Sequence, residues 1–572
     1  MKKILAMILV LLLMLSVFAG CGQDDVQEEP AVVETAQTPV EEVPAEEEVP
    51  AEEEAPAEDI APAEDPVEET PAEMPPVELP LCEEMETLTC YATFPNFMGP
   101  TSACGVETNA DLLVVQEAEK LLNVKIDWYH VNFMTYLEQF NVYIAGGEWT
   151  DMISGIMAYS GGMAKAYEDD VVVDLRPMLE EYAPHFNYYM QNDPEEFKSR
   201  LTDDGVLGWI ESYTVNEYKN GGLAINTEYF EKWGKEAPTT YDELHDYMMF
   251  AKDECGADIG MWFTNQCAED NFSYGFGVEP FKATGTALPL FKIGDEVKCS
   301  LVSDGYKEYI EMLRQWYSDG LLYQEFVTTT WNPNNNEITN NLYEGRISLY
   351  NANAMNLSNV TANIALTPIV PPTVEKGGMN HNEGSSSSQA ETMAITTQAK
   401  NPELCLKWID FWFSDVGGAM YNYGIEGVSY EVVDGKIQYT EAAINNPYGD
   451  SVTNYIRTLS LLGKTVGATY AEANLMTYSD DMMEFINVWN TEVGDSANVY
   501  PTGAQLSVAE SEESSTLSSD ITTYATEQIP LFIMGTLNMD SDWDAYCAHI
   551  EEMGLGRLVE MYQGAYDRYQ LR

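Results

Sequence analysis

The sequence predicts an α/β protein of two lobes, on three observations. Between Met85 and Trp128 a weakly alternating segment, an amphipathic stretch and a second alternating segment follow one another, the order of a parallel strand–helix–strand unit. Residues 87–572 far exceed the roughly 250–300 at which a single hydrophobic core stops growing, so two bodies are expected. In mid-chain, Gly221 to Lys252 reads as a short buried strand followed by two capped helices, a further α/β connection.

That central stretch fixes its own elements. Leu223, Ala224 and Ile225 form the apolar run of the strand, and Asn226 can cap a first helix that Gly234 would end. Thr240 and Glu243 form a Thr-x-x-Glu capping box for a second helix, whose buried face carries Leu244, Met248 and Ala251.

The beginning of the chain carries an address. Lys2 and Lys3 precede an apolar run, Ile4 to Phe18, shorter than the roughly 20 residues that span a bilayer, which reads as a secretory signal over residues 1–20. Phe18-Ala19-Gly20-Cys21 resembles a bacterial lipobox, with Phe18 where Leu is usual. The resemblance implies that Cys21 is diacylated and becomes the mature N-terminus, tethering the protein to the membrane. From Gly22 to Glu86 the chain repeats Pro-Ala-Glu-Glu units without a Lys or Arg. Such a segment buries too little apolar surface to offset chain entropy, so residues 21–86 are expected to be an extended, disordered spacer.

Composition excludes some functions. The chain has 27 Lys and Arg against 95 Asp and Glu, a net charge of −68, so phosphate backbones would be repelled and nucleic acid is excluded as a partner. After the leader no apolar run is long enough to cross a membrane. Besides Cys21, eight cysteines (Cys82, Cys90, Cys104, Cys255, Cys267, Cys299, Cys405 and Cys547) show no Cys-x-x-Cys pair, and spacing leaves their pairing open.

Asn109 or Asp111 can cap a helix with Leu112, Val115, Ala118 and Leu122 buried, followed by a strand from Val124 to Trp128. Phe133 to Ala145 is helical, stopped at Gly146-Gly147. Tyr306 to Tyr317 is amphipathic, and Asn401-Pro402-Glu403 starts another helix, with Trp408 and Trp412 on its core face. The order of segments is similar to that of the carbohydrate-type extracellular solute-binding proteins (family 1), in particular the LplA- and LipO-type lipoproteins and alginate-oligosaccharide binders. The resemblance rests on Pro238 to Leu244 at the crossover, Thr150-Asp151-Met152-Ile153, the Thr202–Gly208 hairpin, Trp316-Tyr317 with Gly320-Leu321, Tyr343 to Tyr350, and Tyr421 to Tyr430.

The resemblance implies a bilobal, periplasmic-binding-protein-like class II fold, two α/β lobes joined by hinge strands. Residues 87–222 with 350–400 would form lobe 1, and 223–349 with 401–572 lobe 2. Hinges are expected near Leu223–Asn226, Ile347–Asn351 and Ala394–Asn401. It implies a lipid-anchored, monomeric receptor outside the cell that binds an oligosaccharide or other small solute and delivers it to the permease subunits of an ABC importer, with no cofactor and no catalysis.

Sugar rings need flat aromatic faces and side chains that satisfy hydroxyls, so Asp151, Trp209, Trp262, Asn265, Trp331, Asn351, Tyr423, Glu426 and Tyr430 are the expected ligand contacts. A glycan hydrolase or a static adhesin is the alternative. A hydrolase needs two carboxylates spaced about 5 Å or 6.5–9.5 Å apart across a sugar, and so acidic a chain offers such pairs by chance. There is no Gly-x-Ser-x-Gly elbow and no His-x-x-x-His spacing. Asn538-x-Asp540-x-Asp542-x-Asp544 lacks the glycine and final glutamate of a calcium loop, and Ser541 with Asp544 reads as a capping box.

Overall fold

A computed structural model describes residues 73–572 except 95–104, 133–134, 268–271, 284–286, 331–335, 381–390, 450 and 492–493. The leader, Cys21, most of the spacer, Cys104 and Trp331 lie outside the described residues.

Strands β1 (Glu86–Phe94), β2 (Val124–Asn132), β3 (Met152–Ser154) and β4 (Ile210–Glu211) belong to a first sheet. β5 (Tyr213–Val215) leads to β6 (Gly221–Asn226) and β7 (Ile259–Met261) of a second sheet. There follow the hairpin β8 (Leu290–Ile293) and β9 (Glu296–Cys299), then β10 (Ile347–Asn353), β11 (Leu366–Pro368) and β12 (Thr392–Ile395). The hairpin β13 (Tyr430–Val433) and β14 (Lys436–Tyr439) and the short β15 (Ala468–Tyr470) complete the strands.

The first sheet has the order β2-β1-β3-β12-β4. β1, β2 and β3 are parallel, and β12 returns antiparallel between β3 and β4. The predicted helix between β1 and β2 spans Leu113–Leu122 and buries Val114, Val115, Ala118 and Leu122. The second sheet has the order β11-β6-β10-β7, with β6 antiparallel to β10 and to β11. Its strands alternate: Leu223, Ile225 and Leu349 enter one core, while Ala224 and Ala352 enter another on the opposite face.

Helix boundaries follow the caps. The Asn226 side chain accepts from Tyr229 N, and Gly234 ends the Thr227–Trp233 helix in the left-handed region, where a side chain would be strained. Thr240 accepts from Glu243 N, but the Glu243 carboxylate reaches back to Thr239 rather than to Thr240. The helix expected to begin at Ser541 begins earlier, at Met539, because Asn538 accepts from both Asp540 N and Ser541 N.

The core divides the chain differently from the expected lobe boundaries. Trp408 and Trp412 are in the core, as expected, but that core is the first lobe's: Leu404, Trp408, Trp412, Tyr421, Leu461 and Ala468 pack with Leu88, Val124 and Met152 of the first sheet. Residues from Asn401 to Tyr470 therefore join lobe 1, not lobe 2, because an amphipathic helix settles on whichever sheet face its apolar stripe can cover. β10 and β11 conversely lie in the second sheet. The first two expected hinge segments lie in the interior strands β6 and β10, and the third runs from the end of β12 into the turn before the Pro402–Phe411 helix. The chain instead passes between lobes from β5 to β6, between β11 and β12, and between β15 and the Asp480–Trp489 helix, whose Phe485 and Trp489 enter the second lobe's core. β5 and β15 pair in parallel just before two of these crossings.

Trp408→Ala is expected to cost about 3–5 kcal/mol, read in urea unfolding followed by hydrogen exchange at β1 to β3. Unchanged protection of those strands would place the helix on another body.

Candidate ligand-binding cleft

The helix Asp480–Trp489 ends against the beginning of β6 and shapes the floor of a cleft. Trp489 Nε1 donates to Leu223 O at 3.0 Å. Gly222 makes this approach possible, since a Cβ there would lie 2.5 Å from the indole. Asn490 clamps the crossing segment by donating to Lys219 O at 2.9 Å and accepting from Lys219 N at 2.8 Å. The hydroxyls of Tyr218 and Tyr478 lie 3.3 Å apart, tying the same crossing to the chain that enters the helix.

The cleft has a volume of about 1240 Å³. Glu217 to Leu223 form its floor, and Asn351, Ala352 and Asn353 project from the carboxyl end of β10. Phe272, Tyr274, Pro371 and Pro372 make one wall. The segment Tyr500–Leu506 and the helix Val508–Ile533, through Ser511, Ser514 and Ser518, make another. Gly161 and Gly162 of the first lobe close the far side. Crevices beyond the carboxyl ends of strands are where α/β sheets bind ligands, since loops and helix ends there present polar groups not used by the ladder. The lining mixes amides, hydroxyls and aromatic rings with two acidic and two basic residues, Glu217, Glu279, Lys219 and Lys282, a set that can meet both the apolar faces and the hydroxyls of a polyhydroxylated ligand. Among the described residues no group of three or more His, Cys, Asp or Glu is placed to hold a metal ion. Cys82, Cys90, Cys255, Cys267, Cys299, Cys405 and Cys547 are free thiols.

Of the expected contacts, Asn351 lines the cleft. The others among the described residues do not. Asp151 is buried, and its carboxylate accepts from Thr89 N at 2.8 Å, Thr89 Oγ1 at 2.6 Å and Lys400 N at 3.0 Å, bracing β1, β3 and the segment after β12. Trp209 is core, with Nε1 on Glu211. Trp262 is buried and stacks on Tyr323, ring centroids 4.1 Å apart. Asn265 donates its amide to Thr329 O, and its side-chain oxygen is buried away from the cleft lining. Tyr423 and Tyr430 pack together with Ala473, Tyr423 donating to Glu472, while Glu426 is exposed beside them. Tyr421, Tyr423 and Tyr430 thus serve the first lobe's packing, while Glu426 to Val428 stand exposed outside the described cleft lining.

Sequence reasoning missed Tyr218, Asn353, Tyr274, Trp489, Tyr500 and Gln505. The Gly221-Gly222 pair is a sequence signal from which the close approach at the floor could be read, but nothing near residue 500 marks that segment as a cleft wall.

The family model for bacterial extracellular solute-binding proteins matches residues 107–419. That is more than half of the chain, and the chain belongs to this family, whose members are extracellular binding components of transport systems and not enzymes. The chain is 24% identical over 507 residues to the fructooligosaccharide ABC transporter substrate-binding protein FusA of Streptococcus pneumoniae, covering 83% of this chain and 90% of the relative. Its fold is similar to the crystal structure of FusA in complex with kestose, with a TM-score of 0.61 at 20% identity, over 85% of this chain and 100% of that one. It is also similar to alginate-binding protein AlgQ2 solved without calcium ion, with a TM-score of 0.64 at 20% identity, over 85% and 99% of the two chains. The expected two-lobed solute-binding fold is the fold found.

Asp151 supplies a pH test of its bracing role. Burial opposes its charge, but the Thr89 hydroxyl and the Lys400 and Thr89 amides outweigh that and hold its carboxyl below the ordinary carboxylate range. A carboxyl depressed in the folded state adds stability above its unfolded value of about 3.9, which is lost as pH falls through the folded value. Asp151→Ala is therefore expected to lower stability at pH 7 by about 1–3 kcal/mol. The gap to the parent should narrow below about pH 4 in denaturant titrations; a gap constant with pH would contradict the assignment.

Proposed function

We propose that this protein captures an oligosaccharide in the cleft by closing its lobes, and hands it unchanged to the permease of an ABC importer. The size and lining of the cleft carry this reading. Pockets for drug-sized ligands run about 300–1,000 Å³, whereas this cleft of about 1240 Å³ has room for several linked sugar rings. Asn351, Asn353 and Asn220 bring amide side chains that can both donate to and accept from hydroxyls, and Tyr218 and Tyr274 offer ring surface. FusA, named for fructooligosaccharides, supports the same ligand class. Closure would turn on the three crossings around β5, β11 and β15. The lobes would be residues 87–215 with 392–470, and 221–368 with 480–572.

Purified protein mixed with kestose, longer fructooligosaccharides, alginate oligosaccharides and single hexoses should show a raised melting temperature with the oligosaccharides and little change with the hexoses. Chromatography afterwards should return every glycan intact; new reducing ends would establish a hydrolase instead. Asn353→Ala and Asn351→Ala are each expected to weaken binding by about tenfold, one hydrogen bond to the ligand being lost in each.

We further propose that Cys21 carries the lipid anchor and that the acidic segment after it holds the lobes away from the membrane. Labelling cells with an alkynyl fatty acid should mark the parent, while Cys21→Ser should be unlabelled and released into the medium. Equal retention of both would remove the anchor.

A further inference from the structure

The lobes meet at a second place, away from the three crossings. Leu201, in the first lobe's core, precedes the turn Thr202 to Val206, which carries Asp203. The helix Leu555–Gln570 belongs to the second lobe through Leu555, Leu558 and Met561. Arg568 Nε donates to Asp203 Oδ2 at 2.5 Å, and Arg572 donates to Asp203 Oδ1 from Nη2 at 2.6 Å and Nε at 3.2 Å. Arg568 also holds Glu510 through Nη2 at 2.6 Å and Nη1 at 3.2 Å, fixing its guanidinium on its own lobe. The other Arg572 nitrogen, Nη1, donates to the Leu201 carbonyl. Lys198 Nζ lies 4.4 Å from the centre of the Tyr569 ring. Backbone contact is equally close, since a Cβ on Gly503 would lie 2.5 Å from Ser199 Cα.

Three features separate this cluster from ordinary surface ion pairs. The Arg572 side chain is only 5% exposed, so solvent screens its charge poorly. One carboxylate serves two guanidiniums, and Arg568 is already ordered by Glu510, so the second pairing costs little further side-chain entropy. The segments it joins also border the cleft: Tyr500 to Leu506 and Tyr562 line it from the second lobe. The lobes cannot separate along this flank while Asp203 and the Leu201 carbonyl hold both arginines.

We propose that Asp203, Arg568 and Arg572 form an interlobe clasp that presets the separation of the lobes before ligand arrives. The proposal uses the two-lobed closure described above but needs no assumption about which solute is bound. By narrowing the range of lobe separations, the clasp would keep a larger fraction of molecules competent to bind.

The test measures the ligand-free, full-length protein, so it can fail independently of the carbohydrate reading. Spin labels on unnatural residues at Lys120 in the first lobe and Lys232 in the second avoid the native thiols. Their distance distribution by pulsed electron resonance is expected to be narrow in the parent and broader, with longer distances, in Asp203→Asn and Arg572→Gln. Asp203→Glu should restore most of the narrow distribution. Asp258→Asn breaks the exposed pair with Arg346 inside the second lobe and should leave the distribution unchanged. If the neutral variants fold poorly, Arg568→Gln, which removes one guanidinium from Asp203 and leaves the nearly buried Arg572 in place, gives a second reading of the same kind. Unchanged distributions in folded Asp203→Asn and Arg572→Gln would overturn the clasp, as would narrower ones.

Discussion

The cleft depends on one close backbone approach. β6 begins at Gly221-Gly222, pairs with the end of β10 from Gly221↔Asn353 to Ile225↔Leu349, and is backed by the Trp489 indole. A side chain at Gly222 would displace that indole and with it the bond to the Leu223 carbonyl. The same register sets Asn351 and Asn353, at the carboxyl end of β10, beside the crossing segment. Polar groups near the floor are thus positioned by a sheet rather than by a free loop, which limits how much order binding must create.

The charge distribution complements this arrangement. Cations are scarce in a chain of net charge −68, and several serve as braces between segments. Lys464 is buried in the first lobe with its ammonium on the carbonyls of Arg457 and Ser460, and burial pulls its pKa down to about 7. Arg200 ties the Glu196 carboxylate to the carbonyls of Glu211 and Ser212, just before the crossing into the second lobe. In the cleft the two lysines, Lys219 and Lys282, are matched in number by Glu217 and Glu279, so the charged groups of the lining do not favour an anion over an uncharged sugar.

Much of the architecture was legible because it is local. Asn226, Gly234, Thr240 and Asn401 each act where their cap chemistry says they should. The helix after β1 and the crossover strand follow from periodicity alone. Lobe membership was not legible, because the apolar face of Pro402–Phe411 fits either sheet and only the tertiary structure decides between them. Asn351, expected from its place at the end of the return strand, does line the cleft. The tryptophans misled because an aromatic ring satisfies a core as well as a sugar: Trp262 spends its face on Tyr323 and Trp209 on the first lobe's interior. Tyr500 and Gln505 reach the cleft through contacts between segments hundreds of residues apart, for which sequence spacing holds no signal.

The most direct test of a cleft that closes on a captured sugar chain is hydrogen–deuterium exchange with and without a bound fructooligosaccharide. Added protection should concentrate at Glu217–Leu223, Asn351–Asn353 and Tyr500–Leu506, the segments that border the cleft from the crossing, the end of β10 and the far wall. Protection confined to the Tyr421–Tyr430 segment, or absent from these three segments, would contradict the account.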